Sequence, residues 1–346
     1  MRRLLAGIAA AVLLSGCAAA CSQQPPTVSL AASFPGFAVG ALPTGSVLSP
    51  DRRYLLTTKS SGNEWRLVTV NLAGTTPETT TFHSAPNTGD CGGGRPAPPG
   101  YWYYVLGWIS ETRFVFALKG PLVANTYGEC ALWVFTGDLS TGKAEEIWSK
   151  SMDAEGLYEA RCSFVPDRKT VRVYLASSTC ELDPASGKVG PEVGVPPESE
   201  DTNVTKVDLA GLMDGSVVVV DPSGKGVYLH VGSMSDTTLW YCEPKSDPVR
   251  IGLRHEVDIL WDGREFPVYG GNLVAVIRHD GRTRTALLSR GKVAEFEDRA
   301  GEFRMEVLAF SEDILVIQQA LQDPGMGPQQ FELRVYRIST ERAKRR

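Results

Sequence analysis

A turn carrying an acidic residue, followed by a short apolar run, recurs along this chain and constrains its fold more than any other feature. Such turns stand at Ser49-Pro50-Asp51-Arg52, Ser110-Glu111-Thr112-Arg113, Val165-Pro166-Asp167-Arg168, Met213-Asp214-Gly215-Ser216 and Ser311-Glu312-Asp313, with a related turn at Gly271. The spacing is about 52 residues, the length of a supersecondary repeat that buries its apolar faces against its neighbours. The runs that follow, among them Tyr54 to Thr57, Phe114 to Leu118, Val171 to Leu175, Val217 to Val220, Leu273 to Ile277 and Ile314 to Ile317, are rich in β-branched and aromatic residues. They are too short for helices and read as buried strands.

Each run leads into a second strand and a further tight turn. Asp138-Leu139-Ser140-Thr141-Gly142-Lys143 and Asp183-Pro184-Ala185-Ser186-Gly187-Lys188 are two examples. Asp and Ser bond their own backbone and Gly accepts positive φ, so both segments predict hairpins. Six units of about four strands predict an all-β fold: a six-bladed β-propeller of four-stranded antiparallel blades, with a seven-bladed ring as the alternative. The segments Ser49 to Leu56 and Asp138 to Lys143 resemble TolB-like and WD-repeat-like propellers, and that resemblance implies a propeller domain over residues 27–346. The last unit runs out at Ser339 with three strands. An open sheet edge invites aggregation, so Thr27 to Phe34 is expected to supply the missing outer strand.

The first residues carry an address. Arg2 and Arg3, an apolar stretch from Leu4 to Leu14 and then Ser15-Gly16-Cys17 follow the order of an export signal. The stretch is too short to span a bilayer, which takes about 20 residues. Leu14-Ser15-Gly16-Cys17 resembles the bacterial lipobox, which implies a signal peptide at 1–16, lipid on Cys17 (alternatively Cys21) and a tether at 17–26. The chain is expected to be exported and anchored to a bacterial membrane, facing its extracytoplasmic side.

With 35 basic against 40 acidic residues the chain is acidic, and losing Arg2 and Arg3 makes it more so. Nucleic-acid binding needs a basic stripe, so no nucleic-acid partner is expected. The basic run from Arg342 to Arg346, broken only by Ala343, reads as a solvated tail. Cysteines outside the cytoplasm tend to pair, which makes Cys91, Cys130, Cys162 and Cys180 disulfide candidates beside Cys242. Cys91 and Cys130 are expected to pair with each other.

Catalytic motifs are weak throughout. Gly137 to Lys143 matches part of a phosphate loop, but Ala144 replaces the required Ser or Thr and the segment lies between strands. No Gly-x-Ser-x-Gly elbow occurs. His83, His230, His255 and His279 are scattered singly. The resemblance to propellers of the prolyl oligopeptidase type therefore stops at the propeller. No cofactor is expected. Asp208, Asp258 and Asp262 are weak metal candidates, because lactonase-like six-bladed enzymes hold a metal in the central channel with carboxylates from several blades.

The long segments, His83 to Trp102, Lys119 to Glu129, Gly194 to Asn203 and Leu321 to Gln330, are expected on one face, opposite the tight turns. Binding residues collect on such loops. Tyr101, Trp102 and Tyr127 are the aromatics most suited to contact a ligand there, although Tyr101 to Tyr104 also suit the start of a packed strand. The expected function is a non-enzymatic, membrane-anchored scaffold for an envelope protein or small ligand; the alternative is a metal-dependent hydrolase centred on the channel.

Overall fold

The computed structural model describes residues 27–36, 45–61, 63–74, 76–86, 100–122, 129–194, 305–321 and 330–339, with the strands between 217 and 296. It is built almost wholly from antiparallel sheets in which successive strands pair with one another. Strand β1 (Thr27–Pro35) comes first, then β2 (Val47–Leu48), β3 (Tyr54–Ser61), β4 (Glu64–Asn71) and β5 (Thr79–Pro86), which form one sheet. The next sheet holds β6 (Trp102–Trp108), β7 (Arg113–Pro121), β8 (Cys130–Asp138) and β9 (Lys143–Met152). After helix α1 (Ala154–Glu159) come β10 (Arg161–Val165), β11 (Thr170–Tyr174), β12 (Ser178–Asp183), β13 (Lys188–Val189) and β14 (Val193–Gly194).

A fourth sheet contains β15 (Val217–Val220), β16 (Val227–Ser233), β17 (Asp236–Cys242) and β18 (Val249–Ile251). The fifth contains β19 (Glu256–Asp258), β20 (Val268–Tyr269), β21 (Asn272–His279), β22 (Arg282–Ser289) and β23 (Lys292–Glu295). Strands β24 (Met305–Phe310), β25 (Ile314–Ala320) and β26 (Phe331–Ser339) make the last sheet, and β1 joins its open edge in the order β1-β26-β25-β24. The strand expected at Thr27 to Phe34 is thus present, next to β26.

The chain divides into two compact units. The larger takes Leu30–Thr205 and Phe303–Tyr336, and so holds the last sheet and the first three. Within it the first strands, β24, β2, β6 and β10, touch in succession. Three apolar cores fill the gaps between consecutive sheets. Phe34, Leu55, Val70, Val316 and Val335 occupy the first, Leu56, Phe82, Phe114 and Phe116 the second, and Val115, Leu132, Val171 and Leu182 the third. Four-stranded meanders stacked face to face with their first strands adjacent have the architecture of propeller blades. The smaller unit takes Met1–Ser29, Lys206–Glu302 and Arg337–Arg346, and contains the fourth and fifth sheets and the ends of β1 and β26.

The two Gly-Lys segments form one and the same hairpin. Asp138 pairs with Lys143 and Asp183 with Lys188. In each the glycine amide donates to the aspartate carbonyl, at 2.9 Å for Gly142 and 2.8 Å for Gly187, with φ of +66° and +69°. Asp138 accepts from the Ser140 amide and Asp183 from that of Ala185, both through Oδ1. This is turn chemistry, not a phosphate cradle.

Val217 to Val220 opens its sheet as β15, whereas the other five apolar runs take second place in theirs. A run of four valines fits an inner and a second strand equally well, so its composition does not fix its position. In the third sheet β12, which holds Cys180, is six residues long, and the strand after it is broken into β13 and β14.

Candidate functional site

In the larger unit the connections are partly sorted between the two ends of the sheets, the short β3–β4 turn and the turn at 175–177 lying at the same end as the long connections. Tight turns at 49–53, 109–112, 139–142, 166–169, 184–187 and 311–313 occupy one end. The connections 87–101, 122–129 and 322–329 all leave and re-enter at the other, as expected for three of the four long segments. The fourth, beyond Gly194, lies outside the described residues.

The best described chemistry at the loop end surrounds Lys119. Strand β7 is buried along nearly its whole length, and Lys119 is 3% exposed. Its neighbours in register are Trp102 on β6 and Leu132 on β8. The ammonium lies 4.7 Å from the centre of the Trp102 ring and 5.3 Å from that of Tyr104, within the range of cation–π attraction. Nζ donates to the carbonyl oxygens of Leu157 and Ala160, both at 3.3 Å.

These bonds explain why α1 forms. Six residues are too few to hold a helix alone. Asp153 caps its start by accepting from the Gly156 amide at 2.8 Å, and Leu157 buries its side chain. The last turn has no basic residue of its own, so Lys119 supplies the cation and donors that the orphan carbonyls need. Burial lowers the Lys119 pKa, and burial raises that of Tyr104 to about 12. Two of the three ammonium donors are thus committed to carbonyls and the charge faces two rings, an arrangement that positions side chains instead of transferring protons.

Above this base stands Tyr158, 60% exposed, with its ring 6.1 Å from that of Trp102 in an edge-on arrangement. Tyr101 is half-buried and lies over Gly120, where an added Cβ would sit 2.5 Å from the ring. The aromatic segment from Trp102 begins a packed strand, one of its two expected roles. Tyr103 enters the core, while Trp102 and Tyr104 hold Lys119. Tyr127 lies outside the described residues. Sequence reasoning missed Lys119, Tyr158 and α1; Asp153 with Glu155 in the first turn was the available signal for the helix.

On the opposite face of β6, Tyr103 OH and His83 Nδ1 share a hydrogen bond of 2.7 Å. The imidazole is 4.9 Å from the Phe135 ring, and burial lowers its pKa. His83 is thus a packed residue among aromatics.

Cys162 and Cys180 do not bridge. Both pair in register with Val173, one from each side, so two strand spacings of about 4.8 Å separate them. A disulfide needs Cα atoms within about 7 Å. Both remain thiols, and burial pushes Cys162 up to about 12. No disulfide is seen among the described residues. Cys130 is buried at the start of β8, and Cys91 lies outside the described residues. No group of three His, Cys, Asp or Glu among the described residues is arranged to hold a metal. Asp208 and Asp262 lie outside those residues, and Asp258 ends β19 with its side chain undescribed. Cys17 and Cys21 also lie outside. No described helix is long and apolar enough to cross a membrane.

No family model matches this chain. A search of curated proteins also finds no match. Among solved structures it is similar to a variant of the AtxE2 isopeptidase, with a TM-score of 0.50 at 11% identity over 88% of this chain and 51% of that one. The chain therefore spans about half the length of that structure. TolB from Acinetobacter baumannii aligns over 86% of this chain and 63% of its own, at 15% identity and a TM-score of 0.28. The likeness at 0.50 carries the fold alone.

Proposed function

We propose that this chain is an exported lipoprotein, held on a bacterial membrane through lipid on Cys17. Its blades close a six-bladed ring whose long-loop end binds an envelope protein or small ligand without catalysing a reaction. The observation that carries this reading is the gathering of the long connections 87–101, 122–129 and 322–329 at one end of the sheets in the larger unit. A rigid sheet stack that gathers variable loops on one side is a binding scaffold. The loop end also offers an exposed aromatic, Tyr158, on a base fixed by Trp102 and Lys119. Six described sheets support the blade count, and the lipobox-like Leu14 to Cys17 supports the anchor.

A photoreactive amino acid at Tyr158, compared with one at Ser140 on the hairpin end, tests this reading in intact cells. Cross-links to a defined partner from position 158 and none from 140 are expected. Equal labelling from both positions, or none from 158, contradicts it. Metal-dependent ester hydrolysis by the purified protein, abolished by Asp258→Ala, would replace the scaffold with a hydrolase.

A further inference from the structure

Helix α1 turns one side inward and the other to solvent. Leu157 and Ala160 are buried, and their carbonyl oxygens accept from Lys119 Nζ. Glu155, Tyr158 and Glu159 stand three and four positions apart, so they share the opposite side, and all three are exposed. That side is a phenol ring between two carboxylates.

Both carboxylates run against the local rules of helix stability. Like charges four positions apart repel. Glu159 also stands in the last turn, beside carbonyls of negative partial charge, where a cation is favoured. Departures of this kind in a helix too short to stand alone are expected where a surface serves something besides folding.

The charge is not relieved by the surroundings. Among the described residues no ion pair joins Glu155 or Glu159 to a Lys or Arg. Lys119 lies beneath the helix, committed to carbonyls and rings. Lys150, before the helix, is bound to Glu192 at 2.6 Å. Arg161, after it, places its guanidinium 4.7 Å from the centre of the Tyr174 ring. Asp153, which caps α1, and Glu129, which precedes β8, add two exposed carboxylates, and α1 packs against β7 and β8. The connections 87–99 and 123–128 at the same end carry only Asp90 and Arg95, which cancel.

We propose that the side of α1 formed by Glu155, Tyr158 and Glu159 docks a cationic segment of a partner protein, with an Arg or Lys side chain seated on the Tyr158 ring between the two carboxylates. This rests on the loop-end reading above and names the chemistry of its partner. The ring attracts a cation to its face, and its edge-on contact with Trp102 sets its direction. Leu122, 43% exposed just beyond β7, extends the surface with an aliphatic side chain.

The test titrates the purified full chain into a fluorescent peptide of eight arginines at low salt. Glu155→Gln with Glu159→Gln keeps the shape of the helix and removes its charge. Glu145→Gln with Glu146→Gln removes the same charge from exposed carboxylates on β9. About tenfold weaker binding is expected from the first pair and no change from the second. Tyr158→Leu should weaken binding about threefold, and a peptide of eight glutamates should not bind. Equal affinity of the parent and the Glu155→Gln, Glu159→Gln chain overturns the proposal, as does an equal loss from the β9 variant or no binding by the parent. Cross-links from position 158 report on the scaffold itself. Where they form while the peptide is ignored, only the cationic chemistry falls; where they are absent, the loop-end reading falls with it.

Discussion

Ser33 on β1 donates a hydrogen bond to the carboxylate of Glu332 on β26, joining residues 299 positions apart in one sheet. Glu332 also holds Arg334, whose Nε donates to Oε2 at 2.6 Å. Phe34, 1% exposed, packs in the core between this sheet and the next. Removing residues 27–34 would expose the β26 edge and empty that core, so the melting temperature of the domain is expected to fall. Phe34→Ala alone is expected to cost about 3–5 kcal/mol. An unchanged midpoint for the deletion contradicts the closing role of β1.

Lys119 is expected to behave as a clasp for α1. Lys119→Met keeps the bulk and removes both donors, leaving the Leu157 and Ala160 carbonyls short of partners at a cost of about 1–3 kcal/mol. Amide exchange across residues 154–160 should quicken more than in β7 itself. Exchange that is unaltered in the helix would show that Lys119 does not hold it.

The His83 and Tyr103 pair sets an acid limit. Burial holds the His83 pKa below its ordinary value, so the unfolded chain takes up a proton more readily than the folded one. Stability is therefore lost as pH falls below the unfolded value of about 6.5, and levels off below the folded value. His83→Gln should flatten this part of the stability profile in chemical denaturation at stepped pH. A parent profile already flat from pH 7 to 5 contradicts the assignment.

Gly142 and Gly187 occupy the same left-handed position in two hairpins. Replacing either with Ala is expected to cost about 1 kcal/mol, and the double variant about the sum. Denaturant midpoints measure this directly. A neutral result at either site would mean that the turn relaxes to another form.

Cys162 and Cys180 are expected to be recovered as thiols from oxidising buffer. Alkylation after unfolding without reductant should modify both. A peptide linking the two would contradict the register that places Val173 between them.

What the sequence revealed follows the range of the interactions. The hairpins at Asp138 and Asp183 were legible because every group that makes them lies within six positions. The closing strand was legible because the last unit lacked a partner for β26 and one extended segment was unassigned. Lys119 was not legible as a site, since its carbonyl partners lie 38 and 41 residues away and nothing local marks the residue as buried. Cys162 and Cys180 invited pairing by composition, and only the strand register shows that they stand too far apart. The valine run of β15 suits two positions in a blade, so the period alone does not place it.

The anchored scaffold is tested most directly by mass analysis of the mature protein extracted with detergent from the membranes of cells that make it. The account predicts an N-terminal peptide that begins at Cys17 and carries the added mass of a glyceride and fatty acyl chains. An unmodified peptide beginning at any other residue would contradict it.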